Sequence, residues 1–354
     1  MTEPAIDTTT VPLREELLRH GNNHRSSTHA WEAVADGIGW HQPTPSDCWL
    51  APSRTISVVI PAHQVGYSLP TVLDALESQH HHYEFEVIVV DDASTDDTAQ
   101  VAIRHRVVDR FVRLPQRMGA ATARNIGTAL AQGQTVLYLD GDMVIPPHVI
   151  TDIATRATET SVLLGFRHHV RYEVHSQDPA ILARIPNLGA DHRVVWRPPA
   201  NTLLPYSGIT LPEPLDGRPL DDTHDFIDLG YGQRYYDWDL PSTVSTALAA
   251  APRAAVLDVG GFAQGFGSLG RGMEDTYLGA CLVAAGLLVI PLRQAVGFHL
   301  DPPDAAEQWQ HKLASRPLIL ARYRELLELP VPRGRAQDFI AAMTDLLTYC
   351  EERP

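Results

Sequence analysis

Cysteine is scarce. Cys48, Cys281 and Cys350 are the only three in 354 residues, they lie far apart, and their number is odd. This excludes a disulfide framework and any paired-cysteine metal site, and fits a reducing compartment. Positive charge is also in short supply: 28 basic against 43 acidic residues leave a formal net charge of −15. Such a chain is repelled by nucleic acid and by anionic membranes. No long apolar run is present, since the stretch Gly279 to Leu292 falls short of the roughly 20 residues that a spanning helix needs. The opening MTEPAIDTTT lacks the charged-then-apolar form of a signal segment, so a cytoplasmic protein without stable membrane insertion is expected. No solenoid-length repeat occurs, and the only biased tract is His80-His81-His82, read as a solvated loop.

What is present is a substantial apolar share, 44%, and a regular alternation of two periodicities. Two short helical patterns, Leu13 to Leu18 and Ala30 to Ile38, mark residues 1–53 as an N-terminal extension packed on the core. Ile56 to Ile60 is a short β-rich run stopped by Pro61, as expected of a buried parallel strand. Leu69, Val72, Leu73 and Leu76 then fall at helical spacing. Val87 to Val90 forms a second strand running into Asp91-Asp92, and Ser94 with Asp97 reads as a capping box for the next helix. Ala120 to Gln132 is a helix closed by Gly133 in the left-handed position, and Val136 to Leu139 is a strand ending in Asp140-Gly141-Asp142. The alternation predicts an α/β fold: a doubly wound, mostly parallel sheet with helices on both faces. Rhythm is lost from about Gly165 to Pro252. It returns with Ala254 to Val259 and with a helix from about Glu274 that runs into a strand. Two amphipathic helices, about Ala305 to Leu327 (broken or restarted at Pro317) and Ala336 to Cys350, close the chain as a C-terminal addition, 303–354.

The acids carry the chemistry. Two strands deliver Asp91/Asp92 and Asp140/Asp142 at their carboxyl ends, the edge of an open parallel sheet where ligands bind. Gathered carboxylates repel unless a cation or hydrogen-bond donors compensate. A divalent ion, Mn²⁺ or Mg²⁺, meets this need by taking one or two carboxylates and completing its shell with phosphate and water. Glu274 and Asp275, preceded by Gly270 and Gly272, fall at a helix N-terminus, where the dipole keeps a carboxylate ionised and able to accept a proton.

The blocks SVVIPAHQ, EVIVVDDASTDDT, GAATARNIGTALAQG and TVLYLDGDMVIPP, in this order and spacing, resemble the nucleotide-sugar half of glycosyltransferase family 2, with the GT-A fold. Downstream, GFGSLGRGMEDTYLGACLVAAGL resembles the Glu-Asp catalytic segment of the same family. The resemblance implies a non-processive transferase that inverts the sugar configuration. Its donor-binding half would be 54–160, and its acceptor-binding and catalytic half 161–302. Pro61, Ala62 and His63 would line the base, and Asp91 or Asp92 would accept a hydrogen bond from it. Arg124, Asn125, Asp140 and Gly141 would complete the nucleotide-sugar site. Asp142, with Asp140 and His299, would hold the metal. Asp275 would be the general base, and Glu274 would position the acceptor or its loop. Arg124 is equally read as a structural ion pair.

Trp196, Tyr236, Trp238 and Asp239 stand for the acceptor pocket, because aromatic faces pack on sugar rings while carboxylates accept from hydroxyls. The expected partners are a nucleotide-sugar donor, with UDP-glucose as the first choice, and a small polar acceptor. An aminocyclitol of the kind taken by validoxylamine A glucosyltransferase is one such acceptor, and lipid-linked or peptide acceptors stay open. No nucleic-acid partner is expected, and a homo-dimer is compatible with the sequence. Three rival classes fit the sequence less well. A sugar nucleotidyltransferase needs a glycine-rich, Arg-containing loop where Pro61-Ala62-His63-Gln64-Val65-Gly66 stands. A processive synthase needs spanning helices and a Gln-x-x-Arg-Trp motif. Against a non-catalytic sugar-nucleotide binder stands the presence together of Asp140, Asp142, Glu274 and Asp275.

Overall fold

The computed structural model describes residues 11–19, 37–39, 55–80, 85–170, 187–193, 195–196, 209–210, 244–270 and 272–353. Alternation from residue 55 onward produces strand β1 (Ile56–Ala62), helix α2 (Leu69–Glu77), β2 (Glu86–Asp91), α3 (Thr98–Arg104), β3 (Arg110–Arg113), α4 (Ala120–Leu130) and β4 (Thr135–Leu139). Helix α1 (Leu13–Arg19) precedes them. β1 pairs in parallel with β2 on one side and β4 on the other, and β2 pairs in parallel with β3. Val58, Val59 and Ile60 are wholly buried, as a central strand covered on both faces requires.

Beyond β4 the order changes. The short strand β5 (Met143–Val144), helix α5 (Val149–Arg156) and the long strand β6 (Ser161–Val170) are followed by the separate pair β7 (Val195–Trp196) and β8 (Ile209–Thr210). Then come β9 (Leu248–Pro252), α6 (Arg253–Asp258), α7 (Glu274–Ala284), β10 (Leu288–Leu300), α8 (Ala305–Leu327), α9 (Ala336–Leu347) and β11 (Glu351–Arg353). One nine-stranded sheet runs β11-β3-β2-β1-β4-β9-β6-β10-β5. The expected mostly parallel sheet holds for β3-β2-β1-β4 and for β6-β10. β9, however, enters antiparallel between β4 and β6, and β5 and β11 close the edges antiparallel. The sheet is therefore mixed, and it continues without a break across the expected boundary near residue 160.

Three local expectations are corrected. Gly133 is absent from the left-handed residues; it is needed for close packing, because a Cβ there would stand 2.7 Å from the Ser57 backbone nitrogen. Ser94 and Asp97 make no capping box: α3 has no side-chain cap bond, and the Ser94 hydroxyl accepts from the Gln64 N–H at 3.0 Å instead. Pro317 lies inside a continuous α8 rather than breaking it. Helix α1 seats Leu13 and Leu17, both wholly buried, against α7 and α8, and the Leu13 N–H donates to the Leu329 carbonyl at 2.8 Å. The expected helix from Ala30 to Ile38 falls almost entirely outside the described residues.

Candidate active site

The carboxyl ends of β1, β2 and β4 lie side by side, and the loops leaving them are joined by hydrogen bonds. After β1, the Gly66 N–H donates to Asp96 Oδ2 at 2.9 Å and the Val65 N–H to Thr98 Oγ1 at 2.9 Å. Asp96 also accepts from the Thr98 N–H at 3.1 Å. Partial burial alone would raise its carboxyl, but these donors hold it below the usual range. His63 places Nδ1 2.8 Å from the Asp92 carbonyl, so its ring lies across the mouth between the two loops.

The two aspartates at the end of β2 both accept hydrogen bonds from the protein. Asp91 is fully buried; its Oδ2 accepts from Arg113 at 2.8 Å and its Oδ1 from the Ser94 N–H at 3.1 Å. Asp92 accepts from the Met118 and Gly119 N–H groups at 2.5 and 2.8 Å, which fixes the start of α4. Asn125, expected beside the donor, instead exchanges two 2.8 Å hydrogen bonds with the Phe262 backbone, a buried clamp. The clamp uses one amide N–H and one oxygen lone pair of Asn125 and fixes its side chain against the Phe262 backbone.

Arg124 joins the two ends of the site. From α4 its guanidinium reaches Asp140 Oδ1 at 2.8 Å and Glu274 Oε1 at 3.3 Å, with its carbon 5.6 Å from the Phe262 ring centre. Asp140 follows β4 and Glu274 opens α7, so one buried cation holds the strand-end carboxylate and the helix-start carboxylate together. Burial pushes the Glu274 carboxyl up, the neighbouring Asp275 adds to the rise, and Arg124 opposes it. The residue before Glu274, Met273, has φ of 70°, a left-handed conformation unusual for a side chain of this kind and typical of functional turns. Asp275 accepts at 2.8 Å from the Thr276 N–H, one of the first-turn amides of α7.

Asp142 meets His299 through strand register. β5 pairs antiparallel with β10, with His299 opposite Met143, and the Leu300 N–H donates to the Asp142 carbonyl at 2.8 Å. His299 Nε2 stands 3.5 Å from Asp142 Oδ2. Two ligands at right angles on one ion with bonds of about 2.1 Å stand about 3 Å apart, so this pair fits a small divalent cation after a slight closure. Burial works against protonation of His299, but Asp301, Asp142 and Asp140 together raise its tendency to hold a proton. The Tyr67 hydroxyl lies 3.5 Å from Asp142 Oδ2 and 3.3 Å from the Leu300 carbonyl. Its burial, and then the Asp142 charge, push its phenol well above the usual range. Tyr67, Arg113 and Asp301 escaped the sequence reading. Tyr67 left one signal, an aromatic in the loop after the first strand.

Gly141 presses close to the β1 loop: a Cβ there would meet Val65 at 2.9 Å, and its carbonyl accepts from Ser68 Oγ at 2.8 Å. β1 continues through Pro61 and ends at Ala62, rather than stopping at Pro61. Of the acceptor set, Trp196 lies on β7, and nothing is described of its side chain. Tyr236, Trp238 and Asp239 lie outside the described residues.

The architecture is thus α/β, with acids grouped along the strand ends. Residues 57–206 match the family model for Glycosyl transferase family 2, somewhat less than half of the chain. Glycosyltransferase GlyG of Streptococcus pneumoniae serotype 4 is 27% identical over 124 residues, 34% of this chain and 41% of its own. Mouse dolichyl-phosphate beta-glucosyltransferase is 28% identical over 160 residues, 39% of this chain and 48% of its own. Among solved structures, a mannosyltransferase of Pyrobaculum calidifontis in complex with GDP-Man and Mn²⁺ is 18% identical. It aligns with a TM-score of 0.49 over 94% of this chain and 81% of its own. The chain spans less than half the length of the two curated relatives. Among the described residues, no helix is long and apolar enough to cross a membrane.

Proposed function

We propose that the chain is a metal-dependent, inverting glycosyltransferase that moves a hexose from a nucleoside-diphosphate sugar to a hydroxyl of a small polar acceptor. The observation that carries this reading is the Arg124 bridge, which brings the donor-side carboxylate Asp140 and the helix-start acid Glu274 onto one cation. The family match over 57–206 supports the donor class, and 54–160 is assigned to the donor and 161–302 to the acceptor and the catalytic acids.

In this reading Asp142 and His299 hold Mn²⁺ or Mg²⁺, with Asp140 turned toward ribose or metal. When bound, the ion offsets the charge that develops on the departing diphosphate. His63, Pro61 and Ala62 flank the base at the mouth of the β1 loop. Asp275 accepts the proton of the acceptor hydroxyl as its oxygen attacks the anomeric carbon, so that a single displacement inverts the configuration. Glu274, held by Arg124, fixes the α7 N-terminus and with it Asp275. The dipole of this 11-residue helix favours the ionised form of that base. UDP-glucose as donor and an aminocyclitol-like acceptor are the finer proposals. Trp196, Tyr236, Trp238 and Asp239 remain the proposed acceptor set. Transfer to a lipid phosphate is the second reading, favoured by the name of the mouse relative.

The test is Asp275→Asn. Donor binding should stay within about threefold of wild type, while transfer falls by at least the 10²–10⁴-fold that general-base catalysis contributes. Unchanged turnover removes Asp275 from the role. A panel pairing each sugar nucleotide with aminocyclitol, peptide and polyprenyl-phosphate acceptors separates the two readings of the acceptor.

A further inference from the structure

One carboxylate oxygen beside the proposed metal pair accepts from two histidines. Oδ1 of Asp301 lies 3.3 Å from Nδ1 of His299 and 2.9 Å from Nδ1 of His169. The parallel register of β6 and β10 sets His169 opposite His299, and the ring centres are 5.0 Å apart. The Asp301 N–H donates to the Val170 carbonyl at 2.8 Å, so the residue is anchored where both strands end. On the far side of its ring, His299 turns Nε2 toward Asp142 Oδ2 at 3.5 Å. His299 is therefore hydrogen-bonded at Nδ1 to Asp301 behind, while its Nε2 faces Asp142 in front.

We propose that Asp301 is a positioning residue that fixes the His299 tautomer, keeping its proton on Nδ1 and its lone pair on Nε2 for the divalent ion. The inference rests on the reading of Asp142 and His299 as metal ligands. A neutral imidazole carries one N–H, and both carboxylates can only accept when ionised; Asp301 is the nearer, at a hydrogen-bond distance of 3.3 Å against 3.5 Å for Asp142, so the geometry places the proton on Nδ1. The nitrogen left bare is the one aimed at Asp142. Carboxylates that hold a ligating histidine in this way raise its basicity and fix its ring plane, and their loss typically weakens metal binding by about 10- to 100-fold. His169 adds a second donor to the same oxygen and so narrows the rotamers open to Asp301. The three groups His169, His299 and Asp301 also stand close enough to hold an ion by themselves, and the test separates that arrangement from this one.

The experiment titrates MnCl₂, at a fixed excess of UDP, into the full chain and reads bound Mn²⁺ by electron paramagnetic resonance. Wild type, Asp142→Ala, Asp301→Ala, Asp301→Asn and His169→Ala are compared. Asp142→Ala should lose binding, and Asp301→Ala should weaken it about 10- to 100-fold. Asp301→Asn, which keeps an acceptor oxygen, should recover much of that loss. His169→Ala should weaken binding only a few-fold. In histidine-¹⁵N spectra of the metal-free protein at mildly alkaline pH, His299 should carry its proton on Nδ1 in wild type. Asp301→Ala should move that proton to Nε2. The proposal is overturned if Asp301→Ala binds Mn²⁺ within twofold of wild type, or if wild-type His299 carries its proton on Nε2. Equal and complete loss in Asp301→Ala, Asp301→Asn and His169→Ala overturns it as well, since those residues would then be the ligands. Full binding by Asp142→Ala instead sinks the metal pair itself, and loss there with Asp301→Ala intact sinks only the positioning role.

Discussion

Arg124 carries opposite demands at the scale of single residues. Its burial opposes its charge, and Asp140, Glu274 and Asp275 offset that cost. Removing it leaves two partly buried acids facing each other, with Asp275 adjoining. Arg124→Ala should destabilise the fold by about 3 kcal/mol in urea unfolding, the lower end of what breaking a buried pair costs. Arg124→Lys should recover only part of this, because one ammonium cannot span both carboxylates in the planar geometry of a guanidinium. A loss below about 1 kcal/mol for the alanine variant would mean that water already screens the bridge. Much of this site could be read from residue types: acids after apolar strands and acids at a helix start. Which acids stay open to a ligand could not. Asp91 and Asp92 look alike in the sequence, yet the first is taken up by Arg113 and the second by the Met118 and Gly119 amides. These partners lie more than twenty residues away, and no local pattern announces them. The same holds for Asn125 and its Phe262 clamp across 137 residues.

At the scale of elements, periodicity placed most strands and helices, and errors gathered where tertiary packing chooses the residue. Gly133 looked like a helix stop, but the constraint on it is the β1 backbone. Gly133→Ala should therefore cost about 1–3 kcal/mol, as overpacking does, rather than act through backbone conformation. A neutral result would show that β1 can shift at Ser57. The joined loops after β1 and β2 make a pH prediction. Asp96 is held below its ordinary value of 3.8, so it binds fewer protons folded than unfolded at mildly acidic pH. Its contribution is present above that value and is lost as pH falls through its lower, folded value. Asp96→Asn should thus be less stable than wild type at neutral pH, and the two melting curves should converge as the solution is acidified past this range. A gap that is constant with pH would assign the loss to the amide's geometry and not to charge.

For the molecule as a whole, the sheet is continuous from β11 at one edge to β5 at the other, and the N-terminal helix closes against its second half. The sequence hinted at this packing, since Leu13 and Leu17 share a helical face, but not at its target on α7 and α8. Nor did it reveal the antiparallel entry of β9, which comes after the irregular stretch where sequence rhythm fails. If α1 is part of one cooperative fold, Leu17→Ala should cost about 2–5 kcal/mol and lower a single unfolding transition. A separate early transition would make α1 an independent appendage.

All of these scales serve one claim, that Asp142 and His299 share a divalent ion against which a nucleoside diphosphate is held. The most direct measurement is the melting temperature with saturating UDP, with and without Mn²⁺, in wild type and in Asp142→Ala. Ligand that binds only the folded state raises the melting temperature in proportion to its saturation. A rise that needs both UDP and Mn²⁺ and vanishes in Asp142→Ala is the predicted result. A rise of equal size without metal, or one that survives Asp142→Ala, would contradict the account.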